Sequence, residues 1–98
     1  MKILAIGAHP DDIEYGCGGL LLKAVAAGHE VFLNVMTTGG INPDIDRRKE
    51  QENAAGFLGA KKLIWGGFQD TALSPNRELI VAIEKAIDAV SPGLVLVN

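Results

Sequence analysis

The sequence predicts an α/β fold, a Rossmann-like parallel sheet with helices on both faces. Short apolar runs alternate with longer segments of helical periodicity along the 98 residues, which gives the order βαβαβαβ. The last apolar run, Leu94-Val95-Leu96-Val97, shows no alternation with polar residues, which is typical of a strand buried on both faces. With right-handed crossovers, we expect the strand order 3-2-1-4.

Each element has a start or stop signal in the sequence. Gly28 and Gly59 stop the first two helices, and Pro92-Gly93 breaks the third. Ser74 followed by Pro75 fits an N-cap and a proline at the first helical position. In chain order, the predicted elements are strand 2–7, helix 14–27, strand 30–36, helix 46–58, strand 61–65, helix 77–90 and strand 94–97.

Composition narrows the class of protein. A chain of 98 residues with 48% hydrophobic content allows one packed domain, although it is short for a layered α/β fold. The net charge is −3, and the basic run 47–49 is followed by Glu50 and Glu52, which indicates a solvated helix face rather than a nucleic-acid site. The single cysteine, Cys17, and the lack of a long apolar segment indicate a cytoplasmic protein without a membrane span.

The segment Ala8-His9-Pro10-Asp11-Asp12-Ile13-Glu14 follows the first predicted strand, at the sheet edge where ligands of open α/β folds bind. It brings an imidazole and two carboxylates within four residues, and Pro10 stiffens the turn. A stiff turn of this kind can pre-form a metal site. Aspartates before a helix also cap free N–H groups and suit the positive end of its dipole. The spacing alone leaves both interpretations open.

These residues resemble the signature of the LmbE-like (PIG-L) zinc-dependent N-deacetylases. Arg47-x-x-Glu50, followed by Ala54-Ala55 and Leu58-Gly59, is similar to that family's second helix. The segment Gly67-Phe68-Gln69-Asp70 is similar to its loop after the third strand. The resemblance covers essentially the whole chain and corresponds to the N-terminal part of longer family members. We therefore expect residues 1–98 to be part of a longer deacetylase domain.

The resemblance implies hydrolytic removal of an acetyl group from an N-acetylated amine, with an N-acetylglucosamine-type sugar or conjugate as the small-molecule partner. It implies His9 and Asp12 as ligands of Zn²⁺ or another divalent metal, and Asp11 as the general base. The chemistry is consistent, because catalytic zinc lowers the pKa of water to roughly 7. A neighbouring carboxylate can then remove a proton and later return it to the leaving amine.

Five further residues are candidates for supporting the site or contacting substrate: Glu14, Thr37, Arg47, Glu50 and Asp70. Glu14 is expected to orient the turn or cap the first helix, and Thr37 to support His9 from the neighbouring strand. Arg47 and Glu50 either face the pocket or form an ion pair on the helix surface. Asp70 is expected roughly 10 Å from the turn, as a contact to a sugar hydroxyl or as an ordinary turn aspartate.

The family completes its metal site with a histidine in the loop after the fourth strand, and the 98-residue chain ends where that loop would begin. The only other histidine, His29, is expected at the opposite sheet edge, roughly 20 Å away. The isolated chain is therefore expected to bind zinc weakly or not at all. Its apolar last strand would be open to pairing with another chain, including a second copy in a homo-oligomer.

The alternative hypothesis is a metal-free Rossmann-like module with a binding or structural role. The segment Gly16-Cys17-Gly18-Gly19 lies too far after the first strand for a dinucleotide fingerprint. Its glycines are expected instead to let the first helix approach the sheet closely. Cys17 is interpreted as a small buried residue rather than a thiolate nucleophile. A histidine-rich segment shortly after Asn98 would favour the enzyme over the module.

Overall fold

The computed structural model describes residues 1–38, 47–69 and 76–97. All seven predicted elements are present. In chain order they are β1 (Lys2–Gly7), α1 (Asp12–Ala26), β2 (Glu30–Thr37), α2 (Arg47–Leu58), β3 (Lys62–Phe68), α3 (Arg77–Val90) and β4 (Leu94–Val97). The largest differences in boundary are an earlier start of α1 and a later end of β3.

The four strands form one parallel sheet in the order β3-β2-β1-β4, which confirms the predicted topology. The first strand lies between its two neighbours, with Leu4 opposite both Phe32 of β2 and Val95 of β4. Because all strands run in the same direction, the turn after β1 lies between the carboxyl ends of β2 and β4. The topology therefore places this turn at the switch point of the sheet, where open α/β folds bind ligands.

Helices cover both faces of the sheet. Ile3 and Ala5 of β1 pack on one face in a core that includes residues of α1 and α2. Leu4 and Ile6 pack on the other face with residues of α3. Since alternate side chains of β1 enter different cores, the strand is apolar throughout and lacks the alternation of a half-exposed strand.

The fourth strand is apolar, as predicted, and among the described strands it pairs with β1 alone. It lies at the edge of the sheet, and among the described residues Leu94, Val95 and Val97 are exposed, Val97 to 74%. The exposed apolar edge is the one expected from the sequence to be open to pairing with another chain.

One predicted local feature was wrong, and a second is not met at one of its residues. The N-cap of α3 is Asn76, whose side chain accepts a hydrogen bond from the N–H of Leu79 at 3.0 Å; Ser74 lies outside the described residues. A Cβ added at Gly19 would contact no described atom within 4 Å, so this glycine is not required for close packing. Tight positions lie elsewhere: a Cβ at Gly7 would lie 2.9 Å from Cγ1 of Ile13, one at Gly59 2.9 Å from Cγ1 of Val25, and one at Gly66 2.8 Å from the backbone of Met36.

Within the ranges described, no helix has both the length and the apolar character required to cross a bilayer.

Candidate active site

The turn after β1 brings His9 and Asp12 together. The backbone N–H of His9 donates to Oδ2 of Asp12 at 3.0 Å, and the N–H of Asp12 donates to the carbonyl of His9 at 3.3 Å. The imidazole Nδ1 of His9 lies 3.4 Å from the same carboxylate oxygen. Local hydrogen bonds thus fix an imidazole nitrogen and a carboxylate oxygen at one point above the sheet.

This separation fits a shared metal ion. Tetrahedral zinc with ligand bonds of about 2.0–2.2 Å places neighbouring donor atoms about 3.4 Å apart. The two side chains are 41% and 37% exposed, so an ion can reach them from solvent. No group of three or more metal-ligating side chains occurs in residues 1–38, 47–69 and 76–97. Among the described residues, His9 and Asp12 can therefore offer two donors to a metal ion, and a complete set of ligands would require a further donor.

Asp11 has a different conformation and different partners from Asp12. Its φ is 78°, in the left-handed region, and it forms the N-cap of α1 without a side-chain capping bond. Its carbonyl accepts the N–H of Tyr15 at 3.0 Å, which begins the helix. Aspartate tolerates this backbone region better than most residues. The side chain of Asp11 therefore does not cap α1, and its carboxylate points toward α2 instead.

Helix α2 holds Asp11 at two points. Nη2 of Arg47 donates to Oδ2 of Asp11 at 2.8 Å and makes a longer contact of 3.4 Å with the carbonyl of Pro10. Oε1 of Gln51 accepts the backbone N–H of Asp11 at 3.1 Å. The amide of Gln51 also donates from Nε2 to Oε1 of Glu14 at 2.8 Å. One buried side chain thus connects both ends of the turn to α2.

Sequence reasoning did not identify Gln51, although a signal was present. Arg47 and Gln51 are four residues apart, so they lie on the same face of a helix. Ala55 continues that face, and both Gln51 and Ala55 are buried. Once Arg47 was placed toward the turn, the helical spacing would have placed Gln51 there as well.

The other predicted supporting residues have distinct surroundings. Thr37 is buried, and both its hydroxyl and its N–H donate to the carbonyl of Ala8, at 2.9 and 3.0 Å. It therefore fixes the backbone immediately before His9. Glu50 is 64% exposed, with its carboxylate 3.8 Å from Nε of Arg47, which is the predicted pair on the helix surface. Asp70 lies outside the described residues.

The sequence assigned no catalytic or metal-binding role to Cys17 or His29, and their surroundings in the structure fit that interpretation. Burial raises the pKa of the Cys17 thiol, and the negative charge of Glu14 raises it further. A protonated thiol is a poor nucleophile, so this environment fits a packing residue. His29 lies between α1 and β2, where its Nδ1 is 2.8 Å from the N-terminal amine of Met1, at the sheet edge opposite the turn.

Comparisons with known proteins agree with this geometry. The model of the family described as GlcNAc-PI de-N-acetylase (PIG-L) matches residues 4–98. A protein of Escherichia coli K12 described as an uncharacterised deacetylase is 46% identical over 88 residues, covering 87% of this chain and 48% of its own length.

Two solved structures have the same fold. An N,N′-diacetylchitobiose deacetylase of Pyrococcus horikoshii superposes with a TM-score of 0.85 at 35% identity, covering 96% of this chain and 39% of its own. A deacetylase of the A40926 pseudoaglycone superposes with a TM-score of 0.77 at 30% identity, covering 95% of this chain and 48% of its own.

The chain spans less than half the length of these relatives. The match nevertheless includes the turn, the sheet order and the helix that contacts the turn, because it extends over nearly all of the described residues. The chain belongs to the PIG-L (LmbE-like) deacetylase family.

Proposed function

We propose that the complete protein is a metal-dependent hydrolase that removes the acetyl group from an N-acetylated amine, with an N-acetylglucosamine-type sugar or conjugate as substrate. The observation that carries this proposal is the 3.4 Å separation between Nδ1 of His9 and Oδ2 of Asp12, beside a carboxylate at Asp11 that has other partners. The chitobiose deacetylase relative supports the choice of an acetylated amino sugar.

His9 and Asp12 would hold the metal ion, which we propose to be Zn²⁺. When bound, such an ion polarises the acetyl carbonyl and lowers the pKa of water. The missing donor is expected from the segment that follows β4. This strand lies parallel to β1 with Val97 opposite Ile6, so the chain leaves β4 at the same sheet edge as His9.

Asp11 is proposed as the general base. Its carboxylate removes a proton from the water that attacks the acetyl carbonyl carbon. As the C–N bond breaks, the same carboxyl group returns the proton to the departing nitrogen, which leaves acetate and a free amine as products. Arg47 binds Oδ2 of Asp11, and we assign the proton transfer to Oδ1.

The supporting residues take roles that match their contacts. Thr37 holds the Ala8 carbonyl and thereby the backbone that leads into His9. Glu14 and Arg47 fix the turn from either side through Gln51 and Asp11. Glu50 is proposed to orient Arg47, and Asp70 to contact a substrate hydroxyl.

The competing proposal is a metal-free binding module of the same fold. The observation in its favour is that the described residues contain no group of three metal ligands. The two proposals differ in metal content and in release of acetate by the complete protein.

The test is metal analysis of the purified complete protein together with an assay of acetate release. N-acetylglucosamine and N,N′-diacetylchitobiose are the first substrates to assay. We expect about one equivalent of divalent metal per chain and acetate release that stops when the metal is removed by a chelator. A protein that contains no metal and releases no acetate from any acetylated amino sugar would contradict the proposal and favour the binding module.

A further inference from the structure

We propose that Gln51 is a positioning residue for the general base, an inference that rests on the function proposed above. Its carboxamide accepts the backbone N–H of Asp11 through Oε1 and donates to Glu14 through Nε2. Gln51 therefore sets the backbone of Asp11, and so the direction of its carboxylate, without touching substrate or metal.

The burial of Gln51 makes this contact specific. The side chain is fully buried at 0% exposure, so neither end of its amide can exchange its partner for solvent. A carboxamide has one accepting and one donating end, and here the ends meet a donor and an acceptor at 3.1 and 2.8 Å. A side chain lacking either function would leave a polar group of the turn buried without a partner.

The backbone of Asp11 requires such a fixed contact. With φ at 78°, Asp11 has a conformation that L-residues adopt rarely. Its N–H belongs to the N-cap position and has no acceptor within α1, and Gln51 supplies that acceptor. Arg47 holds the carboxylate at 2.8 Å and makes only a longer contact of 3.4 Å with the backbone, at the Pro10 carbonyl. Without Gln51, the carboxylate of Asp11 stays paired with Arg47, but the backbone N–H of Asp11 loses the hydrogen bond that defines its orientation.

The hydrogen bond from Gln51 to Glu14 allows the role of Gln51 to be tested, because the donor and the acceptor can be exchanged between the two positions. In Gln51→Glu, a carboxylate replaces the amide that donates to Glu14, so two acceptors face each other. In the double variant Gln51→Glu with Glu14→Gln, the amide is at position 14, and the carboxylate at 51 accepts from both it and Asp11. The bond between positions 14 and 51 is restored with its direction reversed, the bond from the Asp11 N–H keeps its direction, and the total charge equals that of the original pair.

The experiment measures kcat, KM, metal content and thermal midpoint for the complete protein and its variants. Gln51→Met keeps the length of the side chain and removes both hydrogen bonds. We expect kcat to fall by about 10- to 100-fold, with KM changed by less than about twofold and metal content unchanged. Gln51→Glu should lose a similar factor, and the double variant should regain most of it. Glu52→Met, at the exposed neighbouring position on the same helix, is the matched control and should retain full activity.

A Gln51→Met protein with the kcat of the Glu52→Met control would overturn the inference. A double variant that is folded but no more active than Gln51→Glu would also overturn it, because the effect would then come from packing rather than from the pattern of donors and acceptors.

A second measurement separates this inference from the proposed function. If the original protein releases no acetate, the function is wrong, and the role of Gln51 is then decided by hydrogen exchange at the Asp11 amide. We expect faster exchange of this amide in Gln51→Met than in Glu52→Met. Equal exchange rates would show that Gln51 does not hold Asp11.

Discussion

Arg47 donates a 2.8 Å hydrogen bond to the carboxylate of Asp11 from a position thirty-six residues further along the chain. The pair is partly exposed on both sides, so its contribution to stability is small. Its effect is geometric, because one nitrogen of the planar guanidinium directs a single carboxylate oxygen and leaves the other available for the proton transfer that we propose.

Replacing Arg47 by Met should therefore reduce catalysis more than stability. We expect kcat for acetate release to fall by about tenfold or more, with a small change in the thermal midpoint. Arg47→Lys should recover only part of the rate, because an ammonium keeps the charge but lacks the planar fork. An Arg47→Met protein with unchanged kcat would show that the pair does not orient the base.

Asp11→Asn should abolish deacetylation while sparing the metal. The amide cannot accept the proton, and general-base catalysis contributes about 10²- to 10⁴-fold to rates. Asparagine also tolerates the left-handed backbone at this position, whereas alanine would add strain. Kinetics and metal analysis on the same sample provide the test. Loss of metal in Asp11→Asn would show that Asp11, rather than only its neighbour, is a ligand.

His9→Ala and Asp12→Ala should both lose the metal. Each removes one of the two donor atoms that lie 3.4 Å apart in the turn. We expect the metal content after equilibration against a weak chelator to fall by about tenfold or more. His29→Ala is the matched control, since its imidazole lies at the opposite sheet edge next to Met1. Metal retention in His9→Ala equal to that in the control would contradict the assignment.

Thr37→Val should test the support given to the turn from β2. Valine keeps the branched shape and removes the hydroxyl that donates to the Ala8 carbonyl, while the backbone N–H of residue 37 still reaches that oxygen. The free energy of unfolding should fall by about 0.5–1.5 kcal/mol, the usual net value of one hydrogen bond. Urea denaturation measures it. A stability equal to that of the original protein would show that the hydroxyl contributes nothing measurable.

Cys17 should react slowly with alkylating reagents in the folded protein. Its pKa is raised by burial and by Glu14, so the reactive thiolate is rarer than in the unfolded chain. The direction in which pH changes the stability of the folded protein follows from the same pKa shift. Below the unfolded pKa the thiol is protonated in both states, and above it the unfolded state ionises first, so rising pH destabilises the folded protein.

Iodoacetamide labelling at pH 8, with and without denaturant, measures this difference. A folded rate equal to the denatured rate would show that Cys17 is neither partly buried nor near Glu14 in solution.

Much of the fold could be predicted because its signals are local. Apolar runs, helical periodicity and the glycines at 28 and 59 delimit the elements, and the crossover rule then orders the strands. The closeness of His9 and Asp12 also follows from a local signal, since the hydrogen bonds of their turn join residues three apart, whereas the roles expected for them came from the family resemblance.

The features that could not be predicted from the sequence depend on long-range contacts. The bond between Gln51 and Asp11 spans forty residues, and it requires the rotation of α2 about its axis to be known. Asn76 was missed as the cap of α3 because Ser74-Pro75 provided an equally good local signal two positions earlier. Local propensity indicates that a helix starts in this region, while the tertiary structure selects the residue at which it begins.

The two donors that we propose for the metal both come from a single turn after β1, whereas the segments that follow β2 and β3 begin where those parallel strands end, at the same edge of the sheet. Insertions or substitutions in those segments can reshape the surface that a substrate meets and leave both donors in place. Substrate range and hydrolytic chemistry can therefore evolve independently in this fold. The two solved relatives, one named for diacetylchitobiose and the other for an antimicrobial pseudoaglycone, differ in the way that such independence allows.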